Sequence, residues 1–258
     1  TFNISEWDSY PSNYCQNLGG TLSASELIAS HNEFTIYPNP VYDNLYIKGE
    51  TEKIKTVVLG VNEHILDGSE KIISNASCTT NNAAPMIKVI NDLCGIEQAY
   101  ITTVHSYTTD QSLHDQPHKD LRRSRGAAQS IVPTTTGAAK ALTKIFTHLD
   151  NKIGGCGIRV PVPDGSLTDI TFNVKRQVSI EEINDAFRQA SENHLKGILS
   201  YTEDPIVSVD IIGNPNSCLF DAQLTSVIDK MVKVVGWYDN EIGYSSRIID
   251  LITHTHNK

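Results

Sequence analysis

The sequence lacks three features that would each point to a particular class of protein. No run of about 18 apolar residues occurs, so we expect no membrane-spanning helix. No G-x-G-x-x-G motif occurs, so these 258 residues contain no dinucleotide-binding fingerprint. No two cysteines form a C-x-x-C pair, and the five are widely spaced: Cys15, Cys78, Cys94, Cys156 and Cys218. This pattern argues against a disulfide framework or a zinc site, and we expect no bound metal.

Net charge and the first residues indicate which binding partners and which cellular compartment to expect. The net charge is −9, so we expect neither nucleic acid nor an anionic membrane as a partner, although local cation clusters can still bind anions. The amino end has no charged start followed by an apolar segment, so we expect no signal peptide. Together with unpaired cysteines, this predicts a cytoplasmic protein. With 39% hydrophobic residues, the chain can bury the core of one large domain or two ordinary ones.

The character of the sequence changes near residue 55. Residues 1–33 are rich in Ser and Asn and predict loops with one short helix near Ser23 to Ala29. Asn44 to Lys48 alternates like a strand, and Ile54 to Val61 is an apolar run. We expect these two segments to be neighbouring strands.

From Cys78 onwards the pattern predicts a mixture of helices and strands. Helices are predicted at Cys78 to Leu93, Thr136 to Leu149, Ser179 to Asn193 and Gly243 to His254; strands are predicted at AYITTVHSY, GGCGIRVPVP, LTDITFNVKR, IVSVDIIG and KMVKVVGWYD. Ser179 and Glu182 have the spacing of a capping box.

Cys78 lies in the stretch NASCTTNNAAP, at the start of a predicted helix. A single cysteine is more often a small packed residue than a nucleophile. Here Ser77, Thr79 and Thr80 flank the thiol with hydroxyl groups, and the predicted helix directs its first amides at the sulfur. Because such a position lowers the pKa of a thiol, we predict that Cys78 is a nucleophile and that the cysteines after it are structural.

His105 ends an apolar strand 27 residues after Cys78. A helix, a turn and a strand can return the chain to its starting point, so we expect the imidazole and the thiol to meet. The alternative is a histidine packed at a strand end. Anion-binding residues accompany the pair, namely a T-T-T-G turn before a helix together with Thr108, Arg122, Arg123, Arg125 and Arg159. Amides at a helix N-terminus and arginine side chains both suit phosphate.

From about Thr56 to its end, the chain resembles phosphorylating glyceraldehyde-3-phosphate dehydrogenases. The matching motifs are SNASCTTN, TTVH, HKDLRRSRGAAQSIVPTTTGAAKA, RVPVP, LKGILSYTEDPIVSVD and WYDNEIGYSSRIIDL. The resemblance implies an α+β fold, in which a large mixed, mostly antiparallel sheet carries helices on one face. It also implies NAD as cofactor and a homo-oligomer, a tetramer in the family. Asn82 stands where the family has a second cysteine, which is not the nucleophile.

The resemblance also implies a role for each matching residue. It makes Cys78 the nucleophile and His105 the base of a reaction that oxidises a small phosphorylated aldehyde to a thioester, which inorganic phosphate then cleaves to an acyl phosphate. The remaining matches are Ser77, Thr79, Thr136 and Gly137 for the attacking phosphate, Thr108 and Arg159 for the substrate phosphate, and Asn240 for the nicotinamide amide. Arg122 and Arg125 belong to a loop that, in the family, borders a neighbouring subunit's cofactor.

The amino-terminal segment departs from the family, in which a complete nucleotide-binding domain of βαβ units precedes the cysteine. Only 77 residues precede Cys78 here. We predict an atypical segment (1–55), the last strands of a truncated NAD-binding domain (56–77), a catalytic domain (78–240) and a C-terminal helix (241–258). Residues 34–50 resemble the start of the C-terminal sorting domain of secreted Bacteroidetes proteins.

This organisation predicts that the polypeptide is a poor NAD-dependent dehydrogenase. It also predicts that the last helix leaves an apolar face without a partner, consisting of Ile248, Ile249, Leu251 and Ile252.

Other functions remain open beside glyceraldehyde-3-phosphate dehydrogenase. Erythrose-4-phosphate dehydrogenase shares the same layout and differs in its substrate. A cofactor-free Cys/His acyl transferase or esterase needs only the thiol and the imidazole. A secreted β-module protein is suggested by the first 50 residues alone. Saturable NAD binding separates the dehydrogenases from the cofactor-free alternative.

Overall fold

The computed structural model describes residues 35–37, 46–48 and 54–256. The chain forms two compact units, Thr1–Ile54 and Lys55–Lys258. In the first unit, β1 (Thr35–Tyr37) and β2 (Tyr46–Lys48) form a two-stranded antiparallel sheet.

Three sequence-based statements fall on the first unit. The predicted helix near Ser23 to Ala29 lies outside the described residues, and so does Cys15. The sorting-domain resemblance of residues 34–50 stays a prediction.

The second unit carries the helices and the large sheet. Its strands are β3 (Lys55–Thr56), β4 (Ile73–Ser74), β5 (Ile96–Ser106), β6 (Val132–Thr134), β7 (Ile153–Val160), β8 (Ser166–Val174), β9 (Leu199–Thr202), β10 (Cys218–Asp221), β11 (Ser226–Ile228) and β12 (Met231–Tyr238). Its helices are α1 (Cys78–Cys94), α2 (Ala138–Ile145), α3 (Ile180–Glu192) and α4 (Ile242–His256). The predicted boundaries after residues 77 and 240 stay predictions.

Eight strands form one sheet in the order β6-β7-β5-β8-β12-β10-β9, with β11 added along β12. The pairs β5–β7 and β9–β10 are parallel, and the other pairs are antiparallel. The predicted mixed, mostly antiparallel sheet is therefore confirmed. In the β5–β7 register, His105 lies directly beside Arg159.

The hydrophobic core lies between the sheet and the helices α1, α2 and α3. Side chains alternate along β8, so that Ile170, Phe172 and Val174 are buried under the helices while the residues between them are half-buried on the opposite face. On that opposite face Tyr100 and Met231 are exposed. In the core, the ring of Phe187 on α3 stacks on that of Phe220 on β10, with centroids 3.7 Å apart. Helices on one face are thus confirmed.

Gly236 on β12 permits the close approach of α1 to the sheet. A Cβ at this position would lie 2.7 Å from Sγ of Cys218 and 2.8 Å from Sδ of Met86. Since atoms do not pack at such distances, any larger residue would push away the helix that begins at Cys78.

The predicted strand at Ile54 to Val61 is wrong in length and in partner. Only Lys55–Thr56 is a strand, and it pairs in parallel with Ile73–Ser74. Beyond it the backbone turns, because Oδ1 of Asn62 accepts a hydrogen bond from Val58 N at 2.7 Å. The segment predicted as its neighbour, Asn44 to Lys48, contributes Tyr46–Lys48 to a two-stranded sheet with β1.

The predicted strand IVSVDIIG is also wrong. Ser208–Ile211 is a 3-10 turn, in which the carboxylate of Asp210 accepts a hydrogen bond from Val207 N at 2.7 Å. This local bond holds the backbone in a turn, so the apolar run does not pair as a strand.

Helix α4 packs through one apolar residue on a second, smaller cluster. Leu251 is 7% exposed and lies with Val57, Leu59 and Leu66. The expectation that Leu251 has no partner is therefore wrong. Its neighbours Ile248, Ile249 and Ile252 are exposed, as expected.

Candidate active site

Cys78 is the first residue of α1, as the sequence predicts. Ser77 caps the helix, since its Oγ accepts a hydrogen bond from Thr80 N at 3.1 Å. Ala76, just before the cap, has the left-handed φ of 57°, which is uncommon for a residue other than glycine. Tyr244 on α4 donates a hydrogen bond to the carbonyl of Ala76 at 3.4 Å. Pro85 lies within α1 without ending it.

The thiol and the imidazole meet as predicted. Sγ of Cys78 lies 3.5 Å from Nε2 of His105. His105 is buried, with 6% of its surface exposed. On the other side of the ring, Nδ1 lies 2.8 Å from the carbonyl oxygen of Ser106. When Nδ1 carries the proton and donates to that carbonyl, the lone pair of Nε2 points at the thiol. Nη1 of Arg159 donates to the same carbonyl at 2.9 Å, so in this tautomer the carbonyl accepts from both groups and Nη1 lies beside Nδ1 without donating to it.

Burial keeps this pair neutral. It raises the pKa of Cys78, against the opposing effects of hydrogen bonds from Thr79 and the positive charge of Arg159. The predicted lowering of the thiol pKa is therefore wrong, because desolvation outweighs the amides at the start of the helix. Burial, followed by the charge of Arg159, lowers the pKa of His105 to about 4. The site thus holds a thiol beside a neutral base.

A cavity of about 590 Å³ opens above the pair. Four of its lining side chains are cationic, and none of the described residues that line it is a carboxylate; the cations are Arg123, Lys140, Lys144 and Arg159. The other polar lining residues include Thr56, Ser74, Ser77, Thr79, Thr80, Thr103, Thr134, Thr135 and Thr136. In a chain of net charge −9, this local excess of positive charge favours anionic ligands.

Most of the predicted site residues line this cavity. Ser77, Thr79, Thr136, Gly137 and Arg159 do so together with Cys78 and His105. Gly137 precedes the first residue of α2, and Oγ1 of Thr136 accepts a hydrogen bond from Ala138 N at 3.2 Å. The hydroxyl of Thr79 is bonded to that of Tyr238 at 2.9 Å. Thr108 is not among the lining residues.

Asn240 is buried and is not among the residues that line the cavity. Its Oδ1 accepts hydrogen bonds from Oγ of Ser106 and Oγ of Ser166, both at 2.8 Å, and its Nδ2 donates to Glu241 at 3.2 Å. These bonds tie the ends of β5, β8 and β12 together beside His105. A role of Asn240 in cofactor binding stays a prediction.

Sequence reasoning missed several residues of the site. The fully buried hydroxyl of Tyr238 bonds both Thr79 and Thr103 at 2.9 Å, and the distance along the sequence gives no sign of this contact. Lys140 and Lys144 follow the T-T-T-G turn, and projecting them on the helix that it opens would have revealed them. Of the three arginines that the sequence predicts to bind anions, Arg122, Arg123 and Arg125, Arg123 alone lines the cavity.

Arg123 is held in place by its own partners. Its Nε donates to Oγ1 of Thr134 at 2.9 Å, and its Nη1 pairs with Asp110. By contrast, the exposed Arg125 pairs with Asp115 at 3.0 Å, away from the cavity.

The remaining described cysteines fit the structural role predicted for them. Cys94 and Cys218 are buried, Cys156 is half-buried, and none of the described cysteines forms a disulfide. Within the described residues no cluster of His, Cys, Asp and Glu suits a metal ion. Nor does this part of the chain contain a helix of the length and apolarity needed to cross a membrane.

A thiol beside a neutral imidazole in a cation-lined cavity combines a candidate nucleophile, a candidate base and a surface suited to anions. The chain matches the family described as glyceraldehyde 3-phosphate dehydrogenase, C-terminal domain, over residues 77–240. It belongs to that family.

Individual relatives of the chain support the same family assignment. The chain is 56% identical over 202 residues to the glyceraldehyde-3-phosphate dehydrogenase of Mycobacterium avium, covering 78% of this chain and 60% of that protein. It is 54% identical over 205 residues to glyceraldehyde-3-phosphate dehydrogenase 2 of Streptomyces avermitilis, covering 79% and 61%. The chain therefore spans about 60% of the length of these relatives.

Proposed function

We propose that this chain carries the thiol and phosphate chemistry of a phosphorylating glyceraldehyde-3-phosphate dehydrogenase. The observation that supports this most strongly is the 3.5 Å separation of Cys78 Sγ and His105 Nε2 at a cation-lined cavity. The proposed substrates are a small phosphorylated aldehyde and inorganic phosphate.

Cys78 acts as the nucleophile and His105 as its base. As the sulfur adds to the aldehyde carbon, Nε2 takes the thiol proton and passes it to the former carbonyl oxygen, which gives a thiohemiacetal and regenerates the imidazole. The ring is neutral, with its Nε2 lone pair free, above its pKa of about 4. Arg159 lies against the imidazole and lines the cavity, where its charge suits an ester phosphate. Thr108 is proposed to assist it from outside the described lining.

The second half of the reaction transfers the acyl group to phosphate. An oxygen of inorganic phosphate attacks the thioester carbon, the C–S bond breaks, and His105 moves the phosphate proton to the departing sulfur of Cys78. Ser77, Thr136 and Gly137 are proposed to bind this phosphate at the start of α2, with Thr79 behind them. The thiol is regenerated and the product is an acyl phosphate.

Oxidation of the thiohemiacetal to the thioester between these two halves would require a hydride acceptor, the chemistry that NAD supplies, while His105 would take the hydroxyl proton and release it to solvent. The residues that the structure describes do not form a site for the whole dinucleotide. Among the described residues, the only parallel pair before Cys78 is β3–β4, with two residues in each strand, and no glycine-rich turn follows either strand. Asn240 is proposed to bind the nicotinamide amide, but its Oδ1 already accepts hydrogen bonds from two serine hydroxyls.

A cofactor-free acyl transferase or esterase is the second candidate. The same observation supports it, because the Cys78–His105 pair is complete without any nucleotide-binding residue. Erythrose 4-phosphate is an alternative aldehyde substrate, since it offers the same aldehyde and phosphate groups.

The polypeptide is further proposed to be cytoplasmic and to associate with copies of itself. Its described cysteines are all free thiols, which suits a reducing compartment. The open face of the sheet exposes Tyr100 and Met231 and pairs Lys233 with Asp169 at 2.9 Å. Light scattering of the purified protein tests this: a monomer mass at micromolar concentration would contradict it.

Acylation by p-nitrophenyl acetate tests the thiol chemistry without NAD. We expect a burst of nitrophenolate equal to one acetyl group on Cys78 per chain, mapped by mass spectrometry. Cys78→Ser should abolish the burst, while Cys156→Ser, the matched control on β7, should retain it. A burst that survives Cys78→Ser would contradict the proposal.

A further inference from the structure

The cations of the cavity lie on two separate walls. Arg159 on β7 and Arg123 in the loop before β6 lie on the wall beside His105. Lys140 and Lys144 lie on α2, which forms another wall. The reaction proposed above uses the arginine wall and the start of α2, and it leaves the two lysines without a role.

Helix stability does not explain these lysines. Lys140 lies in the first turn of α2, where the helix dipole disfavours a cation. Lys144 lies in the last turn, where the dipole favours a cation, but it follows Lys140 at i+4, so the two positive charges face the same side and repel each other. Neither ammonium group has an ion-pair partner within residues 54–256. A bound anion would remove both penalties.

The side chains around the lysines suit a phosphate group. Gly137 at the start of α2, Lys140 and Lys144 all line the cavity. At a rise of about 1.5 Å per residue, they extend a positive track of about 10 Å from the predicted phosphate site. Thr56, Ser74 and Ser77 contribute hydroxyl groups to the same cavity. Such hydroxyls can hydrogen-bond phosphate oxygens.

We propose that Lys140 and Lys144 are positioning residues for inorganic phosphate. Their two charges hold the phosphate dianion on the α2 wall, next to the thioester of Cys78, while Arg159 holds the ester phosphate of the substrate on the other wall. This rests on the proposed function and divides the cavity between its two anions.

The double variant Lys140→Gln/Lys144→Gln tests this division. Its control is Lys88→Gln/Lys152→Gln, which removes the same number of charges outside the cavity, from the half-buried Lys88, paired with Asp92, and the exposed Lys152. Binding is measured as protection of Cys78 against iodoacetamide, by inorganic phosphate and, separately, by glycerol 3-phosphate as an unreactive ester. Thermal midpoints without ligand show that each variant is folded.

We expect the Lys140/Lys144 variant to bind inorganic phosphate roughly tenfold more weakly at low salt, with a change of less than about twofold for glycerol 3-phosphate. In phosphorolysis of acetylated Cys78, the half-saturating phosphate concentration should rise by a similar factor, with the maximal rate retained. The control should leave both ligands unchanged.

Three results would overturn the inference. If the parent protein binds phosphate and the Lys140/Lys144 variant binds it equally well, the lysines do not position it and the proposed function survives. If the variant weakens both ligands equally, the cavity is not divided as proposed. If neither ligand protects the parent protein, the inference and the phosphate half of the proposed function fail together.

Discussion

The Cys78 site and helix α4 differ in how many of their functional groups find a partner among the described residues. At the Cys78 site the thiol, the imidazole and the hydroxyl of Tyr238 each have a partner within 3.5 Å. On α4, Leu251 is 7% exposed, whereas Ile249 two residues earlier is 65% exposed. The polar groups proposed for acyl transfer thus find their partners within the described residues, whereas the isoleucine side of α4 stays exposed.

Replacing His105, the proposed base, should have the largest effect on the reactivity of the Cys78 site. His105→Asn retains a polar group of similar shape but cannot accept the thiol proton from Cys78. We expect acylation of Cys78 by p-nitrophenyl acetate to slow by about 10²–10⁴-fold at pH 7. The rate of iodoacetamide labelling of Cys78 should fall as well, because the thiol pKa is raised by burial. An unchanged acylation rate would show that Cys78 does not depend on its neighbour.

The two sides of α4 should respond very differently to truncation. Leu251→Ala removes a side chain packed on Val57, Leu59 and Leu66, and it should lower the free energy of unfolding by about 2–4 kcal/mol. Ile249→Ala, its control on the exposed side, should change it by less than about 0.5 kcal/mol. Urea unfolding followed by circular dichroism measures both. Equal losses would mean that Ile249 is covered in solution.

Acid should weaken the Cys78 region through His105. Its pKa of about 4 in the folded protein lies below the 6.5 of an unfolded histidine, so its contribution to stability is present above pH 6.5 and is lost as the pH falls towards 4. Between pH 7 and pH 5 this amounts to about 2 kcal/mol. His105→Asn should flatten that part of the pH profile of the unfolding free energy. A wild-type profile no steeper than that of the variant would contradict the lowered pKa.

Arg159→Ala should separate the two anions. The variant loses the cation beside His105, so we expect glycerol 3-phosphate to bind about tenfold more weakly and inorganic phosphate to be affected less. Thermal-shift titrations with each ligand measure this. A larger loss for inorganic phosphate would reverse the proposed assignment of the walls.

The sequence predicts the site better than it predicts the surrounding strands. The S-x-x-E box and the alternation along LTDITFNVKR predict α3 and β8 well, because local hydrogen bonds and one-sided burial leave a periodic pattern. The strand β10 and the turn at Ser208–Ile211 were missed, since short segments depend on single side-chain bonds such as that of Asp210. Long motifs around Cys78 and His105 predict their meeting.

Other features of the site depend on the whole fold. The raised pKa of Cys78 arises from burial under residues distant in sequence, so the local pattern of hydroxyls and helix amides predicts the wrong direction. The contact between Tyr238 and Thr79 joins residues 159 positions apart, and only the pairing of β12 within the sheet brings it about.

Hydride transfer to NAD should be slow in this polypeptide. With glyceraldehyde 3-phosphate, NAD and phosphate, this polypeptide should form NADH far more slowly than a full-length relative, because it holds no complete dinucleotide site among its described residues. Turnover close to that of the relative would contradict this expectation.

The most direct test of the account is phosphorolysis of the acetylated protein. Cys78 is first acetylated with p-nitrophenyl acetate, excess reagent is removed, and inorganic phosphate is added without NAD. We predict that phosphate accelerates loss of the thioester in a saturable manner and that acetyl phosphate is formed, as detected by its reaction with hydroxylamine. Loss of the acetyl group at a rate independent of phosphate, with acetate as the product, would contradict the claim that these residues carry acyl transfer to phosphate.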